Sequence, residues 1–221
     1  SYRDRVARLR DRKLEETEAK VARRGAINGD DHGMVVPPDD FQWEPTPTHD
    51  NGGFYGMKAW GENFRSLMEV HPTFVDADSA LAGRYMKYMF GCYRGWCPDF
   101  DISHLREDHK RYGLVHGIGG PHHFAADLGM GLSLGFDGLL EKIERCRTNH
   151  GPGKAEFFDA ERNSVLGIQS WIGRTVDAIH EQLAGESDPE RQANLREMAE
   201  ANEHVLHHPP RTLREACQWL A

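Results

Sequence analysis

Two adjacent histidines, His122 and His123, lie in a glycine-rich stretch that runs from Gly119 to Asp127. A neutral imidazole can donate and accept hydrogen bonds, and its charge changes easily near neutral pH. A loop that exposes such side chains and leads into a packed helix can form one wall of a binding site. Both are candidates for contact with a substrate, although adjacent residues seldom face the same way. The alternative for each is a loop histidine that bonds only to backbone.

A carboxylate and a guanidinium are the other candidates for contact with a substrate. Asp127 directly precedes a segment with apolar residues at helical spacing, so a helix N-cap is favoured over a substrate contact. Arg94 lies in an aromatic loop between Cys92 and Pro98 and could hold a substrate carboxylate through two parallel hydrogen bonds. A structural or surface salt bridge is the favoured role for Arg94.

A metal or redox centre is the least favoured chemistry. Cys92 and Cys97 are separated by four residues rather than the two of a Cys-x-x-Cys pair, so two ordinary thiols are favoured. Five histidines raise the idea of a metal site, but none has the spacing that places two ligands on one helix face: His116, His122, His123, His207 and His208. No metal ligands are therefore assigned.

The elements that must position these residues are helices. The sequence shows no convincing strand, and it predicts a mainly α chain with an irregular, proline- and glycine-rich arm over residues 26–53. Helices are predicted over Tyr2–Arg24, Phe54–Val70, Asp76–Phe90 with a cap at Asp76 or Asp78, Ser103–Tyr112, from Asp127 to about Arg147, Phe157–Leu183, from Asp188 to about His207, and after Thr212. The last helix ends the sequence with Trp219 and Leu220, which we expect to need cover from another chain or from further sequence.

Composition limits the classes of partner. The 221 residues carry a formal net charge of −8, which argues against nucleic acid as a partner. The sequence contains no apolar run of membrane-spanning length and no signal peptide, and its four cysteines are too few for a disulfide scaffold. A cytoplasmic protein with no membrane partner is expected.

Three segments in order resemble the glycyl radical enzymes, the pyruvate formate-lyase-like superfamily. The stretch Pro209–Gln218 is similar to the family's Pro-Pro-x-Thr-Phe-x-Glu-Ala-x-Gln segment, and Asp188–Ala199 is similar to its Asp-Pro-x-Arg helix. The third segment, His123–Asp127 with the glycines that follow, resembles the family's His-x-x-x-Asp pattern, although Ala126 stands where many members have proline. The resemblance is clearest over residues 119–221.

The resemblance implies a fold in which helices surround a barrel of two five-stranded half-sheets, with residues 1–221 as the helical N-terminal domain. It also implies radical chemistry between a backbone glycyl radical and a cysteine that forms a thiyl radical. Neither of these two motifs is present in the sequence, so no cofactor is assigned to this chain directly. In the family, a radical S-adenosylmethionine activating enzyme installs the radical, and the position of His123 commonly points into the substrate cavity.

The leading hypothesis is the N-terminal portion of a glycyl radical enzyme with lyase, dehydratase or decarboxylase chemistry on a small organic substrate. Its expected partners are the substrate, the remainder of the enzyme or a second subunit, the activating enzyme, and further copies in a homo-oligomer. Whether the chain is itself an enzyme, and whether it is a fragment, stays open. The alternatives are a non-catalytic helical module that binds a partner through Trp219, Leu220 and the arm, and, less favoured, a histidine-based metalloprotein.

Overall fold

A computed structural model describes residues 1–24, 38, 40–84, 97–99, 103–113 and 126–221. Its helices are α1 (Tyr2–Arg24), α2 (Met57–Val70), α3 (Arg106–Arg111), α4 (Leu128–His150), α5 (Ala155–Gly185), α6 (Pro189–Val205) and α7 (Leu213–Leu220), with short 3-10 helices at Ser103–Leu105 and Pro152–Lys154. No strand occurs in these ranges. The prediction of a mainly α chain is confirmed.

The long helix α5 is the centre of the packing and contacts α2, α4 and α6. It crosses α2 so closely that a Cβ atom at Gly61 would overlap the backbone of Ala160. Further along the same crossing, a Cβ atom at Gly167 would lie 3.0 Å from the Cα atom of Arg65. Small residues at such a crossing let two helix backbones approach and bury the larger side chains on either side.

The end of α2 is fixed by two side chains of α5. Arg174 donates to the carbonyl oxygens of Met68 and His71, each at 2.7 Å, and Trp171 donates to the carbonyl of Pro72 at 3.1 Å. These bonds satisfy carbonyl groups that a helix end leaves without an intrahelical partner. His71 is fully buried here, and desolvation lowers the pKa of its imidazole, so the ring is neutral.

The segment 76–84 differs from the prediction. It forms turns and bends rather than the start of a helix over Asp76–Phe90, of which residues 85–90 lie outside the described ranges. The physical reason is local, because the Asp76 carboxylate accepts from the backbone N–H of Asp78, and Ser79 bonds to Leu81 in the same way. Short polar side chains that bond to nearby backbone favour turns over helix.

The carboxylate of Asp78 joins α1 to α6. Its side chain is 2% exposed and accepts from Arg8 at 2.6 Å, Arg12 at 3.0 Å and Arg191 at 3.2 Å. Hydrogen bonds from these guanidinium groups, Arg8 first, hold the pKa of Asp78 well below its usual range against the opposing effect of desolvation. We call Asp78 and these three arginines the Asp78 cluster.

Helix α7 packs against α4 of the same chain. Trp219 stacks on Phe136 of α4, with ring centroids 5.3 Å apart, and its ring also packs against Gly131. The expectation that Trp219 needs another chain to cover it is therefore wrong, whereas Leu220 is 49% exposed. The tryptophan holds the C-terminal helix against α4, the helix that follows the histidine loop in the sequence.

Candidate functional site

Asp127 caps the helix that follows the histidine loop. Its carboxylate oxygen accepts from the backbone N–H of Met130 at 3.1 Å, and its side chain is exposed. This is the N-cap that the sequence favoured, and it satisfies one of the free N–H groups of the first turn. A contact between Asp127 and a substrate stays a prediction. Three other candidates, His122, His123 and Arg94, lie outside the described residues.

A kink in α4 lies about two turns after this cap, at Gly135. Gly135 has φ +63°, a conformation that L side chains rarely adopt, inside an otherwise helical segment. A Cβ atom at this position would lie 2.5 Å from both the carbonyl carbon of His208 and the nitrogen of Pro209. The connection between α6 and α7 therefore passes directly over the kink, and only glycine allows both features.

Polar groups lock this connection onto α4 and α5. Gln169 donates to the Asp137 carboxylate and to the carbonyl of Leu206, both at 2.8 Å, while the backbone N–H of Asp137 donates to the carbonyl of His207. The imidazole of His207 lies 3.2 Å from the Asp137 carboxylate. Desolvation opposes ionisation of Asp137, but the hydrogen bonds from His207 and Gln169 outweigh it and lower the pKa.

The proline-rich motif before α7 is a helix cap. Thr212 accepts from the N–H of Glu215 at 3.2 Å, and the Glu215 carboxylate accepts from the N–H groups of Arg211 and Thr212, which completes a capping box. The Arg211 guanidinium also lies 2.7 Å from Glu215, and His204 is 3.9 Å away. These interactions, chiefly the hydrogen bond from the Arg211 side chain, lower the pKa of Glu215 to about 2.

An open apolar groove of about 860 Å³ lies between α4 and α5, beside the start of α2. Its volume falls in the range of ~300–1,000 Å³ that is usual for binding sites. The groove is lined by Met57, Met130, Leu139, Lys142, Ile143, Cys146, His150, Lys154, Phe157, Phe158, Glu161, Ser164 and Val165. Burial raises the pKa of Glu161, and the positive charge of Lys142 partly opposes the rise. We call this surface the α4–α5 groove.

The described residues provide neither a metal site nor a membrane-spanning helix. In the described ranges, no group of three or more His, Cys, Asp or Glu side chains could hold a metal ion. Of the five histidines that raised the idea, His207 is bonded to Asp137 and His208 packs beside it, while the other three lie outside those ranges. None of the described helices combines the length and apolar character that crossing a membrane requires.

These motifs and folds match known proteins. A family model described as pyruvate formate lyase-like matches residues 101–221, more than half of the chain. The chain belongs to the pyruvate formate lyase-like family. The 4-hydroxyphenylacetate decarboxylase glycyl radical subunits of Clostridioides difficile strains CD196 and 630 are each 29% identical to it over 97 residues. That alignment covers 39% of this chain and 11% of each subunit.

A solved structure supports the fold of this pyruvate formate lyase-like chain. The glycerol-bound form of the B12-independent glycerol dehydratase from Clostridium butyricum aligns with a TM-score of 0.60 at 15% identity. The alignment covers 74% of this chain and 28% of the dehydratase chain. The predicted membership in the glycyl radical enzyme superfamily is confirmed, and the chain has the fold of a helical portion of such an enzyme. It spans 11% of the length of its curated relatives.

The sequence predicts the caps of this region but not the groove. Apolar residues at helical spacing are typical of a packed core, yet Phe157 is 41% exposed on the groove. The pair Phe157 and Phe158 at the start of α5 was the available signal, because two adjacent aromatic residues on a helix cannot both face the same core. Lys142, one residue before the buried Ile143, was a second signal.

Proposed function

We propose that this pyruvate formate lyase-like chain supplies the helical N-terminal part of a glycyl radical enzyme. The enzyme would carry out lyase, dehydratase or decarboxylase chemistry on a small organic substrate. The observation that supports this most is the family match over residues 101–221, because it includes the cap at Asp127, the kink at Gly135 and the capping box at Glu215. The named relatives, a decarboxylase subunit and a dehydratase, motivate the two reaction classes.

In this proposal the chain contributes one wall of the substrate cavity. His123 contacts a hydroxyl or carboxylate of the substrate, and His122, Asp127 and Arg94 are secondary contacts. The support is the rigid base that follows the loop in the sequence, since Asp127 caps α4 and the kink at Gly135 is locked by the α6–α7 connection. A contact residue needs such support to keep its geometry.

The reacting groups come from the rest of the enzyme. The radical glycine and the thiyl cysteine lie outside this sequence, in further residues of the enzyme or in a second subunit, and a radical S-adenosylmethionine enzyme installs the radical. The proposed setting is the cytoplasm under anaerobic conditions, as a homo-oligomer. This division assigns no redox step to residues 1–221.

Electron paramagnetic resonance tests the proposal directly. The native protein that carries this chain is purified without oxygen, together with its activating enzyme and S-adenosylmethionine, and its spectrum is recorded. We expect the doublet of a glycyl radical, and turnover of at least one small hydroxylated compound such as glycerol or 4-hydroxyphenylacetate. A protein that shows no radical on any of its subunits after activation would contradict the proposal.

The role of His123 is tested in the same activated protein. His123→Ala should lower kcat/KM by about 100-fold, the loss of one or two hydrogen bonds to the substrate, while the radical yield and the melting temperature stay unchanged. The matched control is His180→Ala, because His180 is half-exposed on α5 and, among the residues that the structure describes, bonds to Glu203 alone, at 2.8 Å. Parallel losses of activity and melting temperature in His123→Ala would show that this histidine is structural.

A second candidate is a non-catalytic helical module that binds another subunit. The open α4–α5 groove favours it, whereas Trp219 no longer does, because that side chain packs on Phe136. Sedimentation and the radical spectrum separate the two functions. The module predicts a stable complex that carries no radical. The enzyme predicts a stable complex that carries a glycyl radical.

A further inference from the structure

A buried histidine lies where the end of α2 packs against α5. His71 directly follows the last residue of α2, and its side chain has no exposed surface. The centroid of its ring lies 4.5 Å from that of Trp171 on α5 and 6.4 Å from that of Phe74. Enclosure by aromatic rings removes the water that would otherwise solvate a charged imidazole. The junction of the two helices therefore contains a titratable group inside an apolar contact.

The hydrogen bond of His71 shows which ring nitrogen carries the proton. Nδ1 lies 2.9 Å from the carbonyl oxygen of Pro72, which can only accept, so Nδ1–H is the donor. The same oxygen accepts from the indole N–H of Trp171 at 3.1 Å. The neutral ring thus already makes the bond that the turn after α2 uses. A second proton has to be added at Nε2, and it adds a charge that this bond does not need.

A positive charge already lies beside the ring. The Arg174 guanidinium on α5 donates to the carbonyl oxygen of His71 itself at 2.7 Å, and its charge disfavours an imidazolium in addition to burial. The carboxylates near this point in the sequence lie elsewhere. Glu69 bonds within α2 at 2.8 Å, Asp76 pairs with α1 at 2.9 Å, and Asp177 is exposed on α5. The surroundings of His71 therefore favour the neutral ring over the charged one.

We propose that this contact is a proton-sensitive junction, closed while His71 is neutral and opened at the end of α2 as the pH falls. The residues of this His71 junction are His71, Pro72, Trp171 and Arg174. In the open form the ring is exposed to water, and an exposed imidazole binds a proton more readily than a buried one. Acid therefore shifts the equilibrium of this local opening towards the open form.

The pH range of the opening follows from the direction of the shift. Desolvation lowers the pKa of His71 from its ordinary value of 6.5, the charge of Arg174 adds to this, and the bond to Pro72 opposes it. Below pH 6.5 the open form therefore binds more protons than the closed form, so the junction loses stability as the pH falls. The carboxylates of Asp78 and Glu215 have lowered pKa values and stay ionised near pH 5.5, so they do not contribute there.

Amide hydrogen exchange tests the junction in the native protein. Peptides that cover residues 64–76 are followed by mass spectrometry near pH 7.5 and near pH 5.5, and each rate is divided by the intrinsic rate at that pH. We expect their protection to fall about tenfold at the lower pH, because it lies one unit below the ordinary pKa of histidine. Equal corrected protection at the two pH values would overturn the proposal.

Two substitutions separate His71 from the other histidines. His71→Asn keeps a donor near the position of Nδ1 but cannot take up a proton, so protection should no longer depend on pH. His150→Asn is the matched control, because His150 is exposed and also places Nδ1 on a backbone carbonyl, at 2.8 Å. The control should keep the tenfold fall. An equal fall in His71→Asn and wild type would show that another group is responsible and overturn the proposal.

A measurement on the wild type covers the case in which His71→Asn does not fold. Deuterium exchange at the ring carbon between the two nitrogens depends on protonation of the imidazole, and mass spectrometry follows it for each histidine separately. For His71 the midpoint of the pH dependence should lie below 6.5. A midpoint at or above 6.5 would overturn the proposal, whether or not the protein carries a glycyl radical.

Discussion

Asp78 and Glu215 are both buried carboxylates held by arginine, but they gather their partners from very different distances along the chain. Asp78 binds guanidinium groups that lie 70, 66 and 113 residues away, on α1 and α6. Glu215 binds Arg211, four residues away, and two backbone N–H groups of the same turn. The side chains are similarly buried, at 2% and 7% exposed.

The difference indicates that Asp78 holds separate helices together, whereas Glu215 acts on the start of a single helix. The Asp78 cluster fastens α1, whose apolar Tyr2, Val6 and Leu14 are 77%, 44% and 52% exposed and gain little from burial. Charge therefore has an unusually large share in holding that helix. Glu215 shapes the start of α7, while Trp219 supplies that helix with apolar contact to α4. Loss of Asp78 should detach an element, whereas loss of Glu215 should only loosen a helix end.

The largest effect is expected from Asp78→Asn. The amide is neutral and offers one acceptor oxygen to three guanidinium groups. These guanidinium groups therefore lose the carboxylate with which they pair. We expect a loss of about 3 kcal/mol in the free energy of unfolding, the low end for a broken buried ion pair, because the arginines are themselves 35–44% exposed. Urea denaturation at pH 7 measures it.

Asp76→Asn is the matched control for that substitution. Asp76 is 24% exposed, pairs with Arg12 at 2.9 Å, and keeps its turn bond to the N–H of Asp78 when it becomes an amide. Its loss should be about 1 kcal/mol or less. Hydrogen exchange should show faster exchange across α1 in Asp78→Asn. Equal stability losses in the two variants would remove the special role of Asp78.

Glu215→Gln should have a smaller effect, about 1.5 kcal/mol. The amide can still accept one hydrogen bond from the backbone, but it loses the ion pair with Arg211. Glu197→Gln is the comparison, because Glu197 also pairs with an arginine, Arg214, but is 66% exposed; its loss should be within about 0.5 kcal/mol. A larger loss in Glu197→Gln than in Glu215→Gln would show that burial does not decide the strength of these pairs.

Lowering the pH should remove the contribution of Glu215 to the free energy of unfolding. Its pKa is about 2 in the folded protein against 4.5 for an unperturbed glutamate, so its contribution is complete above pH 4.5 and is lost as the pH falls towards 2. The difference in unfolding free energy between wild type and Glu215→Gln should therefore shrink between pH 4.5 and pH 2. Asp78 behaves in the same direction, with loss that begins below pH 3.8. A difference that stays constant down to pH 2 would contradict the assignment.

The same contrast explains what the sequence could and could not predict. The caps at Asp127, Asp188 and Thr212 were predicted, because each bonds to backbone two or three residues away. The helix predicted over Asp76–Phe90 is wrong in its described part, because the side chains of Asp76 and Ser79 bond to nearby backbone and form turns. The sequence also does not show that Asp78 binds arginines of distant helices. Contacts between residues far apart in sequence leave no local pattern.

The candidate site shows the same difference between local contacts and contacts that join distant parts of the sequence. Asp127 could be placed because a cap is local, and the α4–α5 groove could not, because it exists only where α4 and α5 leave a space between them. His122, His123 and Arg94 remain predictions from residue type and family resemblance. Family motifs at Gly135 and Glu215 proved to have structural roles, as a kink and a capping box. A family match can therefore identify an architecture through residues whose observed roles are structural.

The smallest effect is expected at Asp127, a carboxylate that pairs with no arginine in the described part of the chain. Asp127→Ala should cost about 1 kcal/mol, the usual value of an N-cap side chain, whereas Asp127→Asn should keep almost all of the stability because asparagine caps equally well. Thermal denaturation of both variants measures this, and kcat/KM of the activated enzyme is recorded beside it. A cap alone predicts that activity follows stability in both variants. If Asp127→Asn keeps its stability and loses activity, the carboxylate charge contacts the substrate, and Asp127 is more than a cap.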